Sequence, residues 1–363
     1  FRDTRNPHRL RVFSFLDEND KANVMPGGLA RVSKSDRGII STRESGESKD
    51  VWVRSLEEEE PYSIANELDR TRVFTPEIVP SRTAENLFWT GRYAERTDVI
   101  SRFAMRVLDI RNRGISTVDT FERDHENLLM KTLFDIFDCE SLLENPNSDP
   151  DILNQVLKNR DCPAGIDFNL DRFYSASQAA REEWSPSSIL AIGSCFQGWN
   201  QRSGPFDDGT RYDSGVESLQ LSLAAFLGLN LDSMTRDEGW ALLDSGRRIE
   251  RATIICGLLR FLLDSDQLKA EMQSVLNESI LYILDSVRTY QSRFHEKPAP
   301  ELTTRLLLGE VDYPRSILHI LMRLYEVLQK VPTPVGAIHP GETILPQIES
   351  LNSFILSMDR NSG

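Results

Sequence analysis

The spacing of apolar residues along the chain changes character near residue 80. Before that point, apolar and polar positions alternate in short runs: Arg9 to Leu16 (RLRVFSFL), Asn23 to Ser33 (NVMPGGLARVS), Gly38 to Thr42 (GIIST) and Lys49 to Arg54 (KDVWVR). Alternation punctuated by Gly27-Gly28, Asp36 and Gly46 predicts three or four short strands within residues 1–55. A sheet that small is marginal in isolation and needs a neighbour to cover it. The acidic run Glu57 to Glu60, with Pro61, Pro76 and Pro80, predicts a linker over residues 56–80, holding at most a helical turn near Ile64 to Arg70.

From Ser81 onward the apolar period is that of helices. Ser81 is placed to cap a long helix running to about Arg113, with Gly114 as its stop. Further helices are expected near 119–138, 150–160, 167–183 and 186–199, the last opening on Ser185-Pro186. The glycine- and aspartate-rich stretch 201–215 reads as a loop, and helices resume near 216–228, 235–264, 267–295, 313–330 and 345–358. No strand is expected after residue 80. The fold class is therefore mainly α: an all-helical bundle over residues 81–363, with a short N-terminal β segment.

Composition changes this picture little. The chain has 363 residues, 39% hydrophobic and 27% charged, as expected of an ordinary globular protein. A net charge of −14 repels phosphate backbones, so nucleic acid is not an expected partner, although a local cluster of arginines can still hold a small anion. Cys139, Cys162, Cys195 and Cys256 form no CxxC pair and read as reduced, mostly buried thiols of a cytoplasmic protein. The five histidines have no zinc-ligand spacing, and no metal site is expected. The most apolar run, Leu219 to Leu231, is interrupted by Gln220, Ser222 and Asn230. It falls short of the ~18–20 residues of a membrane span. No secretory signal pattern opens the sequence. Phe1 rather than Met stands first, inside what reads as a folded segment, which predicts a piece of a longer polypeptide.

The sharpest internal signal is a repeat. Asn86 to Asp109 (NLFWTGRYAERTDVISRFAMRVLD) and Ala241 to Asp264 (ALLDSGRRIERATIICGLLRFLLD) align without a gap, 155 positions apart, and share Gly-Arg-x-x-Glu-Arg. Arg92, Glu95 and Arg96 lie on one side of a helix, as do Arg247, Glu250 and Arg251. The same side continues as Val99, Phe103 and Val107 in one copy and Ile254, Leu258 and Leu262 in the other. Charges that interrupt an apolar stripe are not a solvated face. A glycine inside a helix costs about 1 kcal/mol relative to alanine, so Gly91 and Gly246 suggest close helix approach. Two readings fit. In one, the triplets are partly buried ion-pair networks joining two related helices about a pseudo-twofold axis. In the other, Arg92, Glu95, Arg96, Arg247, Glu250 and Arg251 converge on a cleft that binds a carboxylate, phosphate or amine.

Smaller signals have plainer explanations. Phe88, Trp89 and Tyr93 read as core, and Asp124-His125-Glu126 as a helix surface rather than acid–base machinery. Pro314 reads as a helix start, with Arg315-Ser316 in its first turn, where capping or anion binding by backbone amides is expected.

The run Ser81 to Thr97 (SRTAENLFWTGRYAERT), Gly239-Trp240 with Gly246 to Ala252 (GRRIERA), and Asp312 to Ser316 (DYPRS) together resemble the alpha-E family, over about residues 80–330. The chain departs from that pattern after Ala180-Arg181, where Trp184-Ser185-Pro186 breaks a helix that family members continue, and no role is carried over to that segment. Val24 to Val32 (VMPGGLARV) and Gly46 to Val53 (GESKDVWV) resemble the C-terminal end of the circularly permuted ATP-grasp family. That resemblance implies a longer protein with an upstream ATP-grasp domain as partner. It also implies ATP and Mg2+ as cofactors of the whole, and ligation of a carboxylate to an amine of an amino-acid or peptide-like substrate. Arg31, Ser48, Lys49 and Asp50 are then candidates to meet phosphate or substrate, against the alternative that they only close a turn and a strand. No catalytic residue is assigned. This segment alone is expected to hold no complete nucleotide site and to be inactive. The helical part is expected to act as substrate-binding or scaffold partner; the alternative is a non-catalytic helical interaction module.

Overall fold

The computed structural model describes residues 8–11, 14–16, 22–24, 28–32, 47–51, 79–114, 120–139, 152–202, 209–333 and 338–361. The chain divides into two units, residues 1–76 and 77–363. In the first, β1 (His8–Arg11), β4 (Gly28–Val32) and β5 (Glu47–Val51) form an antiparallel sheet in the order β1-β4-β5, and β2 (Ser14–Leu16) pairs with β3 (Ala22–Val24). These strands fall on the runs of alternating residues. The expected strand over 38–42 and most of the expected linker lie outside the described residues.

The second unit is all-helical among its described residues. Its helices are α1 (Ser81–Gly114), α2 (Thr120–Phe137), α3 (Ile152–Lys158), α4 (Ile166–Ala179), α5 (Pro186–Arg202), α6 (Gly209–Ser233), α7 (Glu238–Leu263), α8 (Ala270–Ile283), α9 (Val287–Phe294), α10 (Pro300–Gly309), α11 (Ile317–Leu328) and α12 (Pro340–Asn361). The long α1 is the axis of the bundle. It packs above all on α7, and also on α4, α2, α6 and α8. Val99, Phe103 and Val107 of α1, and Ile254, Leu258 and Leu262 of α7, are all buried, so the apolar stripes of the repeat are core.

Several boundaries differ from expectation for identifiable reasons. Ser81 is the first helical residue rather than the cap, since Ala84 N–H already donates to the Pro80 carbonyl (2.9 Å). The expected helix over 267–295 is two helices, broken where Asp285 adopts φ 51°, a left-handed stop without the glycine that usually announces one. Helix α10 was unforeseen because Pro298 and Pro300 look like breakers, yet Pro300 sits in the first turn, where its missing N–H is harmless. Helix α6 starts at Gly209, inside the expected loop. Helix α11 begins at Ile317 with Ser316 as its cap, so Pro314 and Arg315 precede the helix instead of opening it. His125 is buried, with Nε2 2.9 Å from Ser279 Oγ, and is not on a helix surface. Three successive helical residues cannot share one face, and of this triplet it is Asp124 that is exposed.

Where α1 and α7 cross, their backbones touch. A Cβ on Gly91 would lie 2.1 Å from the Leu243 carbonyl oxygen, and one on Gly246 would lie 2.1 Å from that of Phe88. Phe88 and Leu243 are themselves equivalent positions of the repeat, so the two contacts are related by exchanging the helices. By contrast, a Cβ on Gly193 of α5 would meet nothing within 4 Å. Gly91→Ala and Gly246→Ala should each destabilise the protein by about 1–3 kcal/mol or more through overpacking. Gly193→Ala should be neutral or stabilise by about 0.4–1 kcal/mol. Urea midpoints of the three variants check this; equal midpoints would contradict the close crossing.

Candidate functional site

The glycine contact fixes the crossing, and the charged residues that follow each glycine close over it. Glu250 on α7 reaches back to α1, where Arg92 Nε (2.6 Å) and Arg96 Nε (2.5 Å) donate to its two oxygens. Glu95 on α1 receives Arg251 of α7 through Nε (2.5 Å) and Nη2 (2.8 Å), a bidentate pair. Arg96–Glu250 and Arg251–Glu95 are the same interaction with the helices exchanged. Glu95 and Glu250 are 0% and 1% exposed, whereas Arg92, Arg96 and Arg251 keep 21%, 18% and 15%. The carboxylates are sealed between the helices, and the guanidiniums lie at the rim.

Burial alone would push the Glu95 carboxyl up. The charge and hydrogen bonds of Arg251, with the charges of Arg247 and Arg315, hold it below the ordinary value instead. Arg251 is likewise raised: burial disfavours its charge, but Glu95 more than offsets this. A buried carboxylate held ionised in this way is a structural anion and a poor proton acceptor.

The exchange symmetry fails beside the triplets, at Trp89 and Asp244 and at Tyr93 and Arg248. Trp89 and Asp244 are equivalent positions. Asp244 is buried and draws Arg247 Nη2 (2.7 Å) and Arg248 Nε (2.6 Å) to itself. Burial would raise the Asp244 carboxyl, and these two arginines hold it low. Arg247 is thereby diverted from Glu95, which keeps one hydrogen-bonding arginine where Glu250 has two. On α1, Trp89 stacks on Tyr93 (5.5 Å between centroids) and lies under Arg92 (5.4 Å); Arg96 lies over Phe137 (5.5 Å) and Tyr93 (5.9 Å). Phe88, Trp89 and Tyr93 are half-buried; Tyr93 packs against the core as expected, and the three rings also form an aromatic floor for the rim arginines.

All six charged residues of the two triplets thus come together. Around them lie groups that the sequence did not single out. Asp98 is buried and accepts Arg102 Nε (3.0 Å). Arg106 donates to Ser279 Oγ (2.9 Å), which also meets His125. A periodicity count shows which residues share a face of one helix, but not which residue of a distant segment faces them. Arg31, Ser48, Lys49 and Asp50 belong to the other unit, where the strand register pairs Arg31 with Ser48, Ala30 with Lys49 and Leu29 with Asp50. Among the described residues, no group of three or more His, Cys, Asp or Glu side chains is arranged to hold a metal ion. A groove of about 590 Å³, lined in part by Leu128, Lys131, Asp135, Arg260 and Phe261, includes none of the six charged residues of the two triplets. No helix among the described residues is long and apolar enough to cross a membrane.

The sequence model of a family called Alpha-E, described as a predicted alpha-helical domain with a conserved ER motif, matches residues 79–355. Glu95-Arg96 and Glu250-Arg251, the ER dipeptides of the repeat, are the pairs at the crossing. Relatives include uncharacterized protein Rv2567 of Mycobacterium tuberculosis and uncharacterized protein Mb2597 of Mycobacterium bovis. Each is 25% identical over 352 residues, covering 92% of this chain and 40% of the relative. The chain therefore spans about 40% of the length of these curated relatives. No solved structure matches it.

The geometry predicts an uneven response to single changes. Arg251→Met strips Glu95 of its hydrogen-bonding arginine and should cost about 3–5 kcal/mol. Arg96→Met should cost less, because Arg92 still holds Glu250. Adding Glu95→Gln to Arg251→Met should restore much of the loss. The Glu95 carboxyl is held low, so the stabilisation from its pair is complete above about pH 4.3, the ordinary glutamate value. It is lost as the pH falls through the depressed folded-state value. Denaturant melts of these variants between pH 3 and 7 check the pattern; additive losses and an unchanged acid limb in Glu95→Gln would contradict it.

Proposed function

The chain belongs to the Alpha-E family, and from that premise we propose that its helical domain is a scaffold partner in ATP-dependent ligation of a carboxylate to an amine. The observation that carries this reading is the sealed crossing of α1 and α7. Both glutamates of the repeat are committed to arginines of the opposite helix, so the triplets join the two helices and leave neither glutamate free to act as a base. The ligation half of the proposal rests on the likeness of VMPGGLARV and GESKDVWV to the end of a circularly permuted ATP-grasp domain. The greater length of the curated relatives leaves room for such a domain. In this reading ATP and Mg2+ bind upstream, Arg31, Ser48, Lys49 and Asp50 lie on the ligase side, and the substrates are amino acids or short peptides. The protein works without spanning a membrane, in the cytoplasm, where ATP is available.

The test uses the full-length protein with ATP, Mg2+ and panels of amino acids and peptides, following ADP release and the mass of the product. Amine-dependent ADP formation is expected. In the Arg251→Met/Glu95→Gln variant, activity should follow the folded fraction. No turnover with any carboxylate–amine pair would overturn the ligation reading. Loss of turnover in Glu95→Gln at an unchanged folded fraction would overturn the scaffold reading.

A further inference from the structure

Arg315 has no counterpart in the repeat, yet it is drawn into the same charged cluster. It stands immediately before Ser316, the cap of α11, in a turn held from several sides. Ser316 Oγ donates to the Glu310 carbonyl (2.5 Å) and accepts from His319 N–H (3.1 Å). Ser316 N–H donates to the Tyr313 carbonyl (2.9 Å), and Tyr313 Oη lies 2.6 Å from Ser286 Oγ on the neighbouring segment. The turn therefore fixes where the Arg315 side chain goes.

The hydrogen bonds at its destination do not close. Arg315 feels the charges of Arg251, Glu95, Asp98 and Arg102. Glu95 already has both oxygens on Arg251, and Asp98 already accepts Arg102. Arg102 also lies 3.8 Å from Asp285, so the carboxylates around Arg315 are held by other guanidiniums. Arg315 Nη1 is buried and has no hydrogen-bond partner among the described residues. An ionised donor of this kind is seldom left unmet inside a protein. Its position adds to the mismatch, because a cation beside the N-terminus of α11 faces the positive end of that helix.

One kind of group satisfies all of these at once. We propose that Arg315, together with Arg251 and the N-terminal end of α11, forms a binding site for an oxyanion, the carboxylate or phosphate group of a small ligand. Arg315 supplies the free donor, and Arg251 adds charge while keeping its grip on Glu95. Asp98 and Glu95 bound the site and set its capacity at one small anion. The site requires no nucleotide and no turnover, so it stands or falls separately from the ligation proposal.

The experiment measures binding of inorganic phosphate and of succinate to this chain by calorimetry and by thermal melting, at constant ionic strength set with chloride. Saturable binding of at least one anion is expected, with a matching rise in Tm. Binding of phosphate alone would assign the site to a phosphate-bearing ligand, and binding of succinate alone to a carboxylate. Arg315→Gln should weaken the affinity at least 10-fold, Arg315→Lys should weaken it less, and Arg323→Gln on the exposed face of α11 should leave it unchanged. In anion-free buffer Arg315→Gln should melt no lower than the wild type, because it removes a half-buried cation whose Nη1 has no hydrogen-bond partner among the described residues. No saturable binding of either anion, equal binding by Arg315→Gln, or an Arg315→Gln protein that is unfolded or melts well below the wild type would each overturn the proposal.

Discussion

Everything about the charged repeat follows from the closeness of two backbones. Gly91 and Gly246 leave no room for even a methyl group between α1 and α7. At that separation, residues one turn further along cannot point past the partner helix to water. A glutamate there is buried whatever its chemistry, and a buried carboxylate is tolerable only when a cation is delivered to it. The opposite helix delivers one from the equivalent position, because each copy carries both halves of the pair. Glycine, glutamate and arginine are thus one device: the first sets the distance, the second is trapped by it, and the third neutralises the second.

The device is doubled but not perfectly symmetric. Substitution of one position, Trp89 in the first copy and Asp244 in the second, sends Arg247 away from Glu95 and lays an aromatic floor under Arg92. Glu250 is consequently held by two arginines and Glu95 by one, each through two hydrogen bonds. The charges of Arg247 and Arg315 also act on Glu95. The half of the crossing held by a single hydrogen-bonding arginine is therefore also the half on which further arginine charges act, within a chain whose net charge is −14. An acidic protein with a small, half-buried, arginine-rich corner is suited to holding one anion at a defined place, and unsuited to spreading along a polyanion.

Much of this was legible in the sequence, for reasons that also mark where legibility ends. The bundle, the apolar stripes through Val99 and Ile254, and the meeting of the two triplets follow from helical period and from glycines placed where they are costly. The short strands around residues 8–32 and 47–51 followed from alternation. What the sequence hid depended on tertiary partners. Nothing local to His125 says that it faces Ser279, and nothing in Asp312 to Ser316 says that Arg315 reaches the cluster at Glu95. Asp285 stops a helix by adopting a left-handed conformation that its own residue type does not announce. Pro300 was misleading because proline breaks a helix interior and starts a helix equally well. Local signals located elements and faces, and long-range packing decided which faces met.

If α1 and α7 are locked by this crossing, neither can open without the other, and amide hydrogen exchange measures that most directly. The amides of residues 86–100 and 241–255 are expected to exchange only through global unfolding, with one common free energy. Breaking the crossing at Arg251 should lower that value equally in both segments. Exchange of one segment through a local opening, while the other stayed fully protected, would contradict the account.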